Sequence, residues 1–184
     1  MIRIKLSRTN YITRLVILIS LTLIIEMIGL PQPVTGPLVN MMLILTSLVL
    51  NIMGGAFLGC ITPLAAVLRG QLPPFLLPMV PFILIGNVLL VVIFGFVKSL
   101  LKHQKLTHPN PFYSIANWTG LIIGAFIKFF WLYFSATIIL PLLLHKELPP
   151  EAIALMAAPQ LFTALIGGAF ALFISNLLKK ILNP

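Results

Sequence analysis

The chain has 184 residues, of which 60% are hydrophobic and 8% charged, with a formal net charge of +9. No soluble domain hides that much apolar surface, so lipid is the natural solvent, and the length leaves room for about six segments of bilayer-crossing size. Its basic residues stand at the ends of apolar runs and not in a patch interleaved with aromatics, which excludes nucleic acid as a partner.

The first fourteen residues carry Arg3, Lys5, Arg8 and Arg14 ahead of an apolar run. Signal peptides begin this way, but the run ends in Gly29-Leu30-Pro31 with no small-residue cleavage site, so an uncleaved first helix over about 15–30 is expected. Pro31 and Pro33 stop it, because proline lacks the amide hydrogen and clashes with the preceding turn. Further helices are expected at about 38–53, 54–69, 78–100, 116–143 and 152–178, with Asn51 to Gly55 forming a tight hairpin between the second and third. Repeats, low-complexity tracts and linkers are not evident. The reading is all-α: one polytopic membrane domain over residues 1–184, a bundle of six transmembrane helices.

Lys and Arg are retained on the cytoplasmic side during insertion, so the loops set the orientation. The N-terminal arm holds four basic residues, the connection after the fourth helix holds Lys98, Lys102 and Lys105, and the tail holds Lys179 and Lys180. With six spans all three groups fall on one side, leaving Arg69 and Lys146 opposite, so both termini are expected to be cytoplasmic. One helix more or fewer would split the basic loops between the two faces. Small residues four apart (Gly55 and Gly59, Gly120 and Gly124, Ala154 and Ala158, Ala164 and Gly168) allow close helix approach, within the bundle or against another membrane protein.

Charged and amide groups inside a membrane are costly and point to function by default. Here they gather toward the outer half: Glu26 near the outer end of helix one, Asn40 near the start of helix two, and Arg69 with Gln71 at the end of helix three. Asn87 and Lys128 fall near the middle of helices four and five, and Gln160 about two turns into helix six. Such a set suits a small polar or zwitterionic solute. Lys128 and Arg69 can hold a carboxylate or phosphate, Glu26 can accept from an amine or hydroxyl, and Asn87 and Gln160 can orient heteroatoms. Equally, Glu26 can simply neutralise Lys128 or Arg69, and Arg69 can snorkel to the headgroups. Trp131 and Ser135 follow Lys128 at helical spacing, where the indole either stacks on a ring-bearing ligand or fills the core.

Enzymatic readings need paired acids, a Ser with His, or His with Glu at helical spacing; the apolar segments hold one acid and no histidine. No Walker-type glycine loop is present, the histidines His103, His108 and His145 fall in loops, and Cys60 is alone and reads as packing. No catalytic residue, metal or cofactor is therefore expected.

The runs Gly36-Pro37-Leu38-Val39-Asn40, Thr62-Pro63-Leu64-Ala65-Ala66-Val67-Leu68-Arg69-Gly70-Gln71-Leu72-Pro73-Pro74 and Pro81-Phe82-Ile83-Leu84-Ile85-Gly86-Asn87 resemble substrate-binding S components of energy-coupling factor (ECF) transporters. That resemblance implies a six-helix subunit of a prokaryotic plasma membrane that captures a vitamin or related micronutrient from outside. It further implies a transmembrane coupling subunit with two ATPases as partners, a link at Leu30 to Pro37 that closes the outward site, and release by tilting in the membrane. Members often display an Ala-x-x-x-Ala surface on helix one, where Leu15 to Leu30 holds no alanine. The competing reading is a non-transporting scaffold protein of cell-envelope assembly.

Overall fold

The computed structural model describes residues 7–70, 72–102, 106, 108–145 and 147–182. Described residues form helices and no strand. In order these are α1 (Arg8–Met27), α2 (Gln32–Val49), α3 (Ile52–Leu68), a 3-10 turn (Pro74–Met79) running into α4 (Val80–Lys102), α5 (Ile115–Phe134), a π turn (Ser135–Ile139), α6 (Leu140–Leu144), α7 (Pro150–Leu155) and α8 (Ala158–Leu182). Because α5 continues through the π turn into α6, and α7 leads into α8, they make six rods. Among the described residues five stretches are long and apolar enough to cross a membrane, whereas α3 has 17 residues.

Local chemistry explains the boundaries. Ser7 caps α1 by accepting from the Asn10 amide at 3.2 Å, so this helix begins about two turns before the expected start. Gly29, at φ +77°, takes the left-handed turn that ends it. Pro33 then falls in the first turn of α2, where the missing amide costs nothing, and α2 accordingly starts at Gln32 and not near 38. Asn51 caps α3 by accepting from the Gly54 amide at 2.8 Å and from the Tyr11 hydroxyl at 3.2 Å. Pro141 has no amide for the Thr137 carbonyl, and the chain widens into the π turn just before it. Pro159 breaks the single helix expected over 152–178 in the same way, separating α7 from α8 at Met156 and Ala157.

The helices pack through small residues. Gly120 and Gly124 of α5 lie against the Phe94 and Leu90 carbonyls of α4, and Gly55 of α3 lies against the Leu43 carbonyl of α2. Gly167 of α8 abuts Pro37 and Asn40 of α2, and Gly168 abuts Leu121 of α5. These glycines are spent inside the bundle, whereas Ala154 of α7 and Ala158 of α8 are exposed and form no such contact face on one helix. Outward faces carry Phe126, Phe130, Phe134, Phe162, Phe170 and Phe173, all exposed, as suits lipid.

Arg69 donates to the Met27 carbonyl, which brings the α1–α2 and α3–α4 links together at one end. Tyr11 meets Asn51, and Lys179 Nζ donates to the Pro109 carbonyl, so the described ends of the chain share the opposite end with the links near 50 and 109. Two apolar cores occupy the two halves. The larger, built on Leu43, Ile44, Leu58, Leu90, Phe94, Leu121 and Leu172, fills the half nearer the termini, and the smaller contains Leu76, Met79, Leu132, Leu148 and Met156. Along α5, Lys128 lies between Ala125 of the first and Leu132 of the second. Lys128 therefore lies at the level between the two clusters.

Candidate functional site

Lys128 Nζ, 3% exposed, donates to Asn40 Oδ1 and Asn87 Oδ1, each at 2.7 Å. An ammonium only donates, so both amides must turn their oxygens toward it and their NH2 groups away. Asn40 Nδ2 accordingly donates to the Gly36 carbonyl at 3.0 Å and to Thr163 Oγ1 at 3.3 Å, and Thr163 donates on to the Gln160 carbonyl at 3.2 Å. On the other flank Asn87 Nδ2 donates to Thr62 Oγ1 at 3.2 Å and to the Gly59 carbonyl at 3.4 Å. One network thus runs from α8 through α2 and α5 to α4 and α3.

Proline places both ends of this network. Pro63 has no amide to offer the Gly59 carbonyl one turn earlier, and Asn87 and Thr62 supply the hydrogen bonds instead. Pro159 likewise deprives the Leu155 carbonyl, which accepts from Gln160 Nε2 at 3.2 Å. Helix breaks that look like defects in sequence thereby become anchors for site amides.

A cavity of about 190 Å³ opens beside Lys128 in the half of the bundle away from the termini. Glu26, Gln32, Thr35, Asn40, Thr62, Asn87, Lys128 and Gln160 give it polar surface. Val39, Ala66, Leu72, Leu76, Ile83, Leu155 and Met156 supply aliphatic wall, drawn from α2, α3, the link and 3-10 turn after α3, the start of α4, and the end of α7 with the break that follows it. Glu26 is 3% exposed, and its Oε2 has no hydrogen-bond partner among the described residues. The neutralising pair between Glu26 and Lys128 or Arg69 is not formed: both lysine bonds go to amides, and Arg69 Nε donates to the Met27 carbonyl at 3.2 Å. The cavity thus contains an acid and a base that do not satisfy each other.

Of the residues named from sequence, Glu26, Asn40, Asn87, Lys128 and Gln160 line this one cavity. Gln71 lies outside the described residues. Arg69 does not line the cavity; it is exposed, with its guanidinium beside Gly29, and ties two links together. Arg69→Ala should therefore lower stability by about 1 kcal/mol at most while leaving ligand affinity within about threefold; thermal unfolding with and without ligand checks both. Trp131 also lies outside the cavity. Three residues beyond Lys128 it has turned about 60° from the lysine's direction, enough to seat it against α4, where Nε1 donates to the Phe82 carbonyl at 2.9 Å. Ser135 is fully buried and donates to the Trp131 carbonyl.

Gln32, Thr35 and Thr62 line the cavity without having been named as binding residues, although Gln32 and Thr35 fall in the Leu30 to Pro37 link that the resemblance set over the site. Threonine in a helix ordinarily bonds back to its own preceding turn, as Thr35 does to the Pro31 and Leu30 carbonyls, so its presence in sequence carries no site signal. Thr62 was traceable only through its neighbour Pro63, which frees a carbonyl on that face.

A family model described as "ECF transporter, substrate-specific component" matches residues 10–178. No curated protein and no solved structure matches the chain.

Proposed function

Because the chain belongs to the substrate-specific components of ECF transporters, we propose that the cavity beside Lys128 captures a vitamin or related micronutrient from outside the cell for import. The observation that carries this reading is a buried ammonium held, among the described residues, by two neutral amides and facing the same cavity as a carboxyl oxygen that has no hydrogen-bond partner among them. A closed structural core has no use for such an arrangement, since each unpaired group is expensive in lipid. A binding subunit does, because the ligand completes the pairing.

Orientation follows from charge. Arg8, Arg14, Lys98 and Lys179 lie toward the end that carries the described termini, and Arg69 lies at the other. The positive-inside rule then puts the termini in the cytoplasm of a prokaryotic cell and the cavity toward the exterior. The link from Leu30 to the first turn of α2, which contributes Gln32 and Thr35 to the wall, would cover the bound solute. Release inside would require docking on a transmembrane coupling subunit driven by two ATPases. A scaffold protein of envelope assembly calls for no such cavity, which weighs against that alternative.

Thermal-shift screening of the detergent-purified protein against vitamins, their precursors and small metabolites tests the proposal. At least one compound should raise the melting temperature, by about 2.7 kcal/mol of linkage at a hundredfold excess over Kd. The coupling subunit and ATPases should co-purify from membranes. A broad panel without a stabilising compound, together with co-purification of wall-synthesis enzymes, would overturn it.

A further inference from the structure

The transport reading leaves the ligand's chemistry open, and the cavity walls narrow it. We propose, on the premise that this cavity is the substrate site, that the substrate is a compact aliphatic zwitterion, with its anionic group bound at Lys128 and its cationic N–H group at Glu26.

Three observations converge. Lys128 uses two of its three N–H donors on Asn40 and Asn87, both neutral acceptors, so its charge is solvated but not cancelled by a carboxylate. Glu26 comes from a different helix, is 3% exposed, and has Oε2 without a hydrogen-bond partner among the described residues. Both line one cavity while forming no pair with each other. A ligand with one charge would satisfy one of these groups and leave the other without a partner, either charged in a low-dielectric space or forced to its neutral form. A ligand with both charges, spaced to span the cavity, satisfies each at once.

The remaining wall sets size and shape. Among the described residues that line the cavity there is no Phe, Tyr or Trp, although the chain contains thirteen Phe, three Tyr and two Trp. Flat heteroaromatic ligands are usually gripped by stacking, and here nothing offers a ring face. Val39, Leu72, Leu76, Ile83, Leu155 and Met156 present branched and flexible aliphatic surface instead. At about 190 Å³ the space is also below the range of roughly 300–1,000 Å³ typical of pockets for drug-sized ligands. An amino acid with an aliphatic backbone fits each of these limits.

The experiment is calorimetric titration of the purified protein with a series of α-, β- and γ-amino acids. Each is paired with its methyl ester, which carries only the positive charge, and its N-acetyl derivative, which carries only the negative one. Nicotinate and pyridoxine serve as aromatic comparators. At least one amino acid should bind, with its ester and its N-acetyl form each weakened by at least about tenfold. Glu26→Gln should lower the affinity for that amino acid to the level of its N-acetyl form, whose own weaker binding persists unchanged, a readout that misfolding does not imitate. Binding of an aromatic or singly charged compound, indifferent to Glu26→Gln, would overturn this inference while upholding a substrate site. Absence of binding by every compound here and in the wider thermal-shift panel would overturn both.

Discussion

Lys128→Met is expected to abolish ligand binding and uptake, with a loss of at least about a hundredfold in affinity, while the protein still folds. Methionine matches the lysine stem in length, so the packing of α5 against α4 and α8 persists. Two opposing terms govern its stability. Asn40 Oδ1 and Asn87 Oδ1 lose their donor, at about 1–3 kcal/mol each when buried. Against this, the cost of burying an ammonium, several kcal/mol in an apolar interior, disappears. The net change should stay within about 2 kcal/mol, so the loss of binding will not be a loss of structure. Asn87→Asp sharpens the test. It gives Lys128 a counter-charge from within the protein, and an anionic ligand group must then compete with that carboxylate, weakening binding by about tenfold or more. The lost Nδ2 bonds to Thr62 and the Gly59 carbonyl offset the gain from the ion pair and keep the melting temperature close to that of the parent. Titration with ligand and thermal unfolding of both variants decide the matter; unchanged affinity in Lys128→Met would remove the lysine from the site.

Gly167→Leu should be among the most disruptive single substitutions for the fold. A Cβ at position 167 would press on the Pro37 carbonyl and come within 2.8 Å of the Met41 amide nitrogen and 2.9 Å of Asn40 Cβ. Two of those three atoms belong to backbone, which cannot rotate away as a side-chain tip can. Helices α2 and α8 must therefore separate, at about 3 kcal/mol or more, seen as a lowered unfolding midpoint in mild detergent. The same displacement pulls Asn40 from Thr163 and loosens its hold on Lys128. Ligand affinity should fall with stability, and a normal melting temperature would show that the bundle tolerates a wider α2–α8 spacing.

Much of the fold was legible because lipid leaves a chain few options. Apolar runs of bilayer length, punctuated by proline, glycine and lysine, mark helices, since no other open backbone satisfies its own hydrogen bonds there. Apart from the early start of α1, which the Ser7 cap sets, proline is the reason where the observed helices differ from that reading. It starts α2 early by occupying the first turn, bends α5 into α6 through a π turn, and parts α7 from α8. Whether a proline ends a helix, starts one or is absorbed depends on which neighbour takes up the orphaned carbonyl, and that neighbour is distant in sequence.

The site divides in the same way. Polarity alone singled out Glu26, Asn40, Asn87, Lys128 and Gln160, because amides and charges are conspicuous in an apolar text. Arg69 and Trp131 were equally conspicuous, and only packing showed that one ties two links together and the other leans on α4. Thr62 and Thr35 were silent for the opposite reason, having hydroxyls that a helix can satisfy by itself. By composition and periodicity, then, the sequence determined a helical membrane bundle and the few groups too polar to be wasted in it. Which of those groups face one another was decided by tertiary structure, because direction around a helix changes by about 100° per residue and the bonds that fix Lys128 span 88 and 41 positions of chain.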